Sequence, residues 1–123
     1  MWGKVMIKGL TEARNTLGQF DFAEFDIVRE FHLWEAEDTL CLGIILFSEM
    51  RPWPNTLKIL LRGVHDLRVR EFGGSLTQLG ALELRHFRTE GGEALVRAED
   101  YEEDLFYCVA AEANVEVVLS GRE

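Results

Sequence analysis

The chain has 123 residues, nearly half of them apolar, with 22 acidic side chains against 13 basic ones and a formal net charge of −9. That length is one domain, spanning 1–123, large enough to bury a core without disulfides or metals, and the composition lacks the low-hydrophobicity signature of disorder. So much negative charge repels nucleic-acid phosphates and anionic membranes, so no nucleic acid and no membrane is expected as a partner; a basic protein would be attracted.

The start, "MWGKVMIKGL", has no sustained apolar region leading to a small-residue cleavage site, so it does not read as a secretory signal. The longest unbroken apolar stretch, "LCLGIILF" at 40–47, is a strand long and far short of a membrane span. A cytoplasmic protein is expected. Cys41 and Cys108 lie in apolar runs with no CxxC pair. Reduced core thiols are expected, and sequence alone leaves open whether they pair.

One short helix is expected in "TEARNTLG", with Thr11 as N-cap and Gly18 as its stop. From Phe25 onward the apolar period is mostly two, which means strands. In "IVREFHLWE", Ile27, Phe31 and Leu33 share one parity and Glu30, His32 and Trp34 the other. The polar "EAEDT" turn then leads into "LCLGIILF", making a long hairpin whose second arm, apolar on both parities, reads as a central strand.

"EMRPWPNT" is a connection, since Pro52 and Pro54 suit neither a ladder strand nor a helix interior. "LKILLRG" and "LRVREF", joined around Val64 to Asp66, are expected as a second hairpin with Lys58, Arg62, Arg68 and Arg70 on its outer face. "GGSLTQLG" reads as a loop. "ALELRHF" and "ALVRAED" flank "RTEGGE" as a third hairpin, and "LFYCVAA" and "VEVVLS" flank "EAN" as a fourth. Eight short strands and almost no helix predict a mainly β, single-domain antiparallel meander, forming a sandwich or strongly curved sheet with one short N-terminal helix.

The run "EDYEED", 99–104, is the densest charge in the chain. It has no central glycine and no flanking helices, so it does not fit a calcium loop of the EF-hand kind. Carboxylates adjacent in one turn share one solvent environment, whereas a glycosidase pair needs two environments across a cleft. A solvated hairpin rim is the simplest reading.

His32, His65 and His86 sit on three separate elements without ligand spacing, and Ser48, Ser75 and Ser120 lack a nucleophile-elbow context. "FGGSLTQLG" has no lysine after its glycines and no helix to receive a phosphate. No enzyme, metal or cofactor is expected. In "PWP" the indole of Trp53, stiffened on both sides, suits either a core plug or a partner anchor.

At "WPNTLKILLRGVHDLRVREFGG" and "AEDYEEDLFYC" the chain resembles small bacterial immunity proteins of polymorphic toxin systems. The positions that carry the resemblance are Trp2, Pro52, Trp53, Gly63, Val64, Asp66, Leu67 and Val69, covering about two thirds of the chain in order of elements. The resemblance implies a non-enzymatic cytoplasmic protein that binds and blocks a cognate toxin domain. On that reading the partner-binding residues are Glu35, Glu37, Asp38, Trp53, Glu99, Asp100, Glu102, Glu103 and Asp104, meeting a positive toxin surface. Two other readings are a β protein holding an apolar ligand between Trp34, Phe47, Trp53 and Phe87, and a module that self-associates through a strand edge. The oligomeric state is not legible.

Overall fold

The computed structural model describes residues 7–70, 77–78, 82–100, 102 and 105–119. Its elements run β1 (Ile7–Lys8), α1 (Leu10–Leu17), β2 (Ile27–Ala36), β3 (Thr39–Phe47), β4 (Thr56–Arg62), β5 (His65–Val69), β6 (Thr77–Gln78), β7 (Leu82–Arg88), β8 (Ala94–Asp100), β9 (Phe106–Ala110) and β10 (Glu112–Val117). A turn of 3-10 helix, Phe22–Glu24, precedes β2. The protein is mainly β, with strands ordered β1-β10-β4-β3-β2-β6 in a first sheet and β5-β9-β8-β7 in a second. Among the described pairs only β1 with β10 is parallel.

Period-two alternation makes the sandwich. In β4, Leu57, Ile59 and Leu61 are fully buried while Lys58 and Arg62 are exposed. In β9, Phe106, Cys108 and Ala110 point inward, and with Leu42, Ile44, Leu46, Val96 and Ala98 they belong to one core. Phe31 of β2 meets Phe106 of β9 edge to face, with ring centroids 5.9 Å apart, so the two sheets touch through aromatic contact. β3 lies between β2 and β4, the central place its unbroken apolar run predicts.

The helix begins one residue before the expected cap. Gly9, at φ 87°, is the N-cap, and Thr11 is an exposed residue inside the helix. The reason is the parallel contact just before it. Gly9 follows β1 so closely against β10 that a Cβ there would collide with the Val115 carbonyl. Gly18 ends the helix as expected, its N–H donating to the Arg14 carbonyl at 2.8 Å.

The first and third hairpins form as the alternation predicts. The second and fourth do not. β4 pairs with β3 and β10, whereas β5 pairs with β9 in the other sheet, so Gly63 and Val64 carry the chain across the sandwich. Likewise β9 and β10 belong to different sheets, and Ala111 makes that crossing. A short polar connection looks the same whether the chain reverses within a sheet or changes sheets; pairing partners far along the chain decide. One consequence is that Lys58 and Arg62 lie on one sheet while Arg68 lies on the other, so the expected basic face is divided.

A bulge between Val28 and Glu30 also breaks the parity of β2. Ile27 pairs with Phe47 and Phe31 with Ile44, positions three apart on β3, so Ile27 and Phe31 face opposite sides rather than sharing one. No helix among the described residues is long and apolar enough to cross a membrane.

Candidate partner-binding surface

Strand direction alternates, so the connections sort to two ends of the sandwich. The β2–β3 turn, the β4–β5 crossing, the β9–β10 crossing and the β7–β8 turn all fall at one end. The 48–55 connection and the β8–β9 connection fall at the other.

At the first end the β2–β3 hairpin closes on two residues, Glu37 and Asp38, with Ala36 opposite Thr39. Both stand in the left-handed region, φ 54° and 61°, the geometry of a type I′ turn. Aspartate is among the residues that tolerate that geometry, whereas Glu37 meets it at more cost than asparagine or glycine would. Glu35, Glu37 and Asp38 are all exposed. On the inner face of the same hairpin Phe31 packs on the core, but Leu33 and Leu40 are 42% and 36% exposed. The hairpin therefore outruns the sheet that faces it.

The crossing brings more acid to this end. The Val64 N–H donates to the Leu40 carbonyl at 2.9 Å, and Asp66, exposed at φ 55°, follows two residues later. Glu90 and Glu93, in the β7–β8 turn, are exposed at the same end. Thus six exposed carboxylates, Glu35, Glu37, Asp38, Asp66, Glu90 and Glu93, share one end with Leu33 and Leu40. Asp66, Glu90 and Glu93 were not among the expected site residues, although simple alternation of strand direction puts their turns at the same end as the 37–38 turn.

The described acids of the 99–104 run, Glu99, Asp100 and Glu102, do not join them. Glu99 lies within β8 on the outer face of the second sheet, ion-paired with Arg97 at 3.1 Å and opposite Tyr107. Asp100 is a correction to the solvated rim. It is 1% exposed, faces inward opposite Leu82, and its Oδ1 accepts the Glu102 N–H at 3.3 Å. That is the geometry of a side chain holding the turn's backbone, so Asp100 is a structural carboxylate with no partner-facing surface. Glu102 is exposed at the far end. Glu103 and Asp104 lie outside the described residues, as does Trp2. Trp53 is 44% exposed in the 48–55 connection, before a cis peptide bond to Pro54, and is not a core plug. Among the described residues, the acids of the two expected loops, Glu35, Glu37 and Asp38 on one side and Glu99, Asp100 and Glu102 on the other, are therefore at opposite ends and do not form one patch.

No family model, curated protein or solved structure matches this chain. The surface has to be interpreted from its own chemistry. One depression of about 470 Å³ lies between α1 and β10, and another of about 270 Å³ lies beside Leu10, Phe20 and Leu82. The aromatic residues named for an apolar ligand do not converge on either. Trp34 lies over Gly43 on the outside of the first sheet, and Phe47 lies on that same outer face beneath the Arg29 guanidinium, 3.8 Å from its ring centroid. Trp53 is in a connection, and the Phe87 side chain lies outside the described residues.

His32 stacks on Trp34 with centroids 5.2 Å apart, His65 stands 4.0 Å from Asp66, and His86 is exposed on β7. Among the described residues no three metal-ligating side chains come together. Cys41 and Cys108 are both buried and unpaired, and they face different ways: Cys41 pairs across from Trp34 on an outer face, and Cys108 points into the core. Burial pushes the Cys108 thiol up to about 12.

Proposed function

We propose that the protein is a non-enzymatic binding module that engages a basic protein partner through the acidic end of the sandwich. In the form suggested by the resemblance to immunity proteins, it is a cytoplasmic protein that occludes a toxin domain. The observation carrying this reading is that the 37–38, 65–66 and 89–93 connections, all with exposed carboxylates, fall at the same end of the sandwich as exposed Leu33 and Leu40. Exposed leucines and carboxylates at one end suit a protein partner: burial of the leucines supplies affinity, and the carboxylates steer and orient the encounter. Glu37 adds support, because it holds a left-handed turn position where it costs stability, a pattern found at functional sites.

The test starts from the reading frame beside the gene. The C-terminal domain of a secreted protein encoded there is titrated against the wild-type chain and a Glu35→Gln, Glu37→Gln, Asp38→Asn variant. The expected association rate falls steeply with salt and is about tenfold lower for the variant at low ionic strength. Equal rates for the two proteins would overturn the acidic-end reading, and a neighbourhood without such a secreted protein would overturn the toxin form of it.

A further inference from the structure

On the outer face of the first sheet, the pairing register sets Glu30, Ile45 and Lys58 side by side across β2, β3 and β4. Two residues along, Trp34, Cys41 and Arg62 form a second such row. Glu30, Lys58 and Arg62 are exposed, while Trp34, Ile45 and Leu60, which lies between the rows on β4, are half-buried. An apolar stripe along β3 therefore separates a basic side on β4 from an acidic and aromatic side on β2.

The net charge of −9 is not carried on this face. Lys8 and Glu112 pair there at 3.1 Å, and the other charges, Arg29, Lys58 and Arg62 with Glu30 and Glu116, nearly balance. Lys58, Arg62 and Glu30 make no ion pair with any described residue. Two copies meeting here approach without the repulsion that the rest of the chain imposes.

We propose that a second copy of this chain packs face to face on this sheet about a two-fold axis running along β3. Rotation about that line keeps each row in place and exchanges its two sides, so Lys58 meets Glu30 of the second copy and Arg62 meets its Trp34, each twice by symmetry. Ile45 meets its own copy on the axis. Gly43, between the rows, has no side chain to hold the sheets beyond the spacing of about 10 Å at which two sheets pack. An axis running across the strands at Gly43 would instead set Lys58 against Arg62 of the second copy, so charge selects the orientation.

The same axis brings both Glu37–Asp38 tips to one end of the dimer, so the test is made at about 0.15 M salt, where charges more than about 8 Å apart are screened. Sedimentation equilibrium follows the full chain from micromolar concentrations to about 1 mM, since a contact three strands wide is small and concentration-dependent. The mass doubles within that range. Lys58→Glu weakens the dimer about tenfold or more by setting carboxylate against carboxylate, and Lys58→Glu with Glu30→Lys restores it. Arg14→Glu makes the same change in net charge on an exposed residue of α1, beside Phe20 and Leu82, and leaves the dimer intact. Far-UV circular dichroism checks that each variant is folded. A monomer at about 1 mM overturns the proposal. So does a dimer indifferent to Lys58→Glu, one that the double exchange fails to restore, or one weakened equally by Arg14→Glu.

Discussion

Gly63 and Ala111 stand side by side where the chain twice crosses between the sheets. A Cβ on Gly63 would lie 2.9 Å from the Cβ of Ala111, and the Ala111 N–H donates to the Arg62 carbonyl at 2.8 Å. Gly63 also sits at φ 71°, which disfavours any residue with a side chain. Gly63→Ala therefore combines a clash with a strained backbone, and a loss of about 2 kcal/mol of unfolding free energy is expected in urea titration. Gly92, at φ 89° with open space around it, isolates the backbone cost: Gly92→Ala is expected to lose only about 1 kcal/mol.

The turn at Glu37 and Asp38 predicts a trade between stability and binding. Replacing the pair with Asn and Gly, which adopt type I′ geometry readily, is expected to raise stability by about 1 kcal/mol. The same change removes two carboxylates from the acidic end. Chemical denaturation and partner association rates measured on one preparation should move in opposite senses, and a destabilised variant would contradict the turn assignment.

Asp100 and Glu99 are adjacent in sequence and separated in role. Asp100→Ala leaves the Glu102 N–H without its acceptor and opens space beside Leu82, so a loss of about 1 to 3 kcal/mol is expected. Glu99→Gln removes the charge from an ion pair with Arg97 whose side chains are 26% and 33% exposed, and should change stability by less than about 1 kcal/mol. Thermal melts of the two variants distinguish them, and equal losses would show that the 99–104 charge acts as one unit.

The Cys108 thiol is held protonated by burial, its ordinary value of 9.0 pushed up to about 12. The unfolded chain releases that proton first as pH rises. The folded state is thus favoured below pH 9.0, and the contribution is lost as pH climbs toward about 12. Stability should fall across that window, and less steeply in Cys108→Ala. Ellman's reagent at neutral pH should leave both buried thiols of the native protein unlabelled and label both in urea.

Much of this architecture is legible in residues such as Leu57, Ile59 and Leu61, whose alternation with Lys58 and Arg62 defines a strand, its buried face and its exposed face. Gly18 marks the helix end, and the apolar run at 40–47 identifies a central strand. The hairpin tip at Glu37 and Asp38 is equally visible. Asp100 was not, because burial of a carboxylate depends on Leu82 across the ladder and on the Glu102 amide beyond it, and nothing in the string "AEDYEED" separates its second acid from its third.

The sequence by itself determined the period of the strands, the polarity of their faces, the place of most turns and the sign of the overall charge. These depend on neighbours within a few residues, through side-chain alternation and local turn chemistry. Only the tertiary structure decided that β4 and β5 part company, that the acid at 35–38 and the acids Glu99, Asp100 and Glu102 lie at opposite ends, and that Leu33 and Leu40 emerge beyond the core. Those outcomes rest on which distant strand completes each ladder, a choice made by long-range packing of Phe31, Phe106 and their neighbours rather than by any local signal.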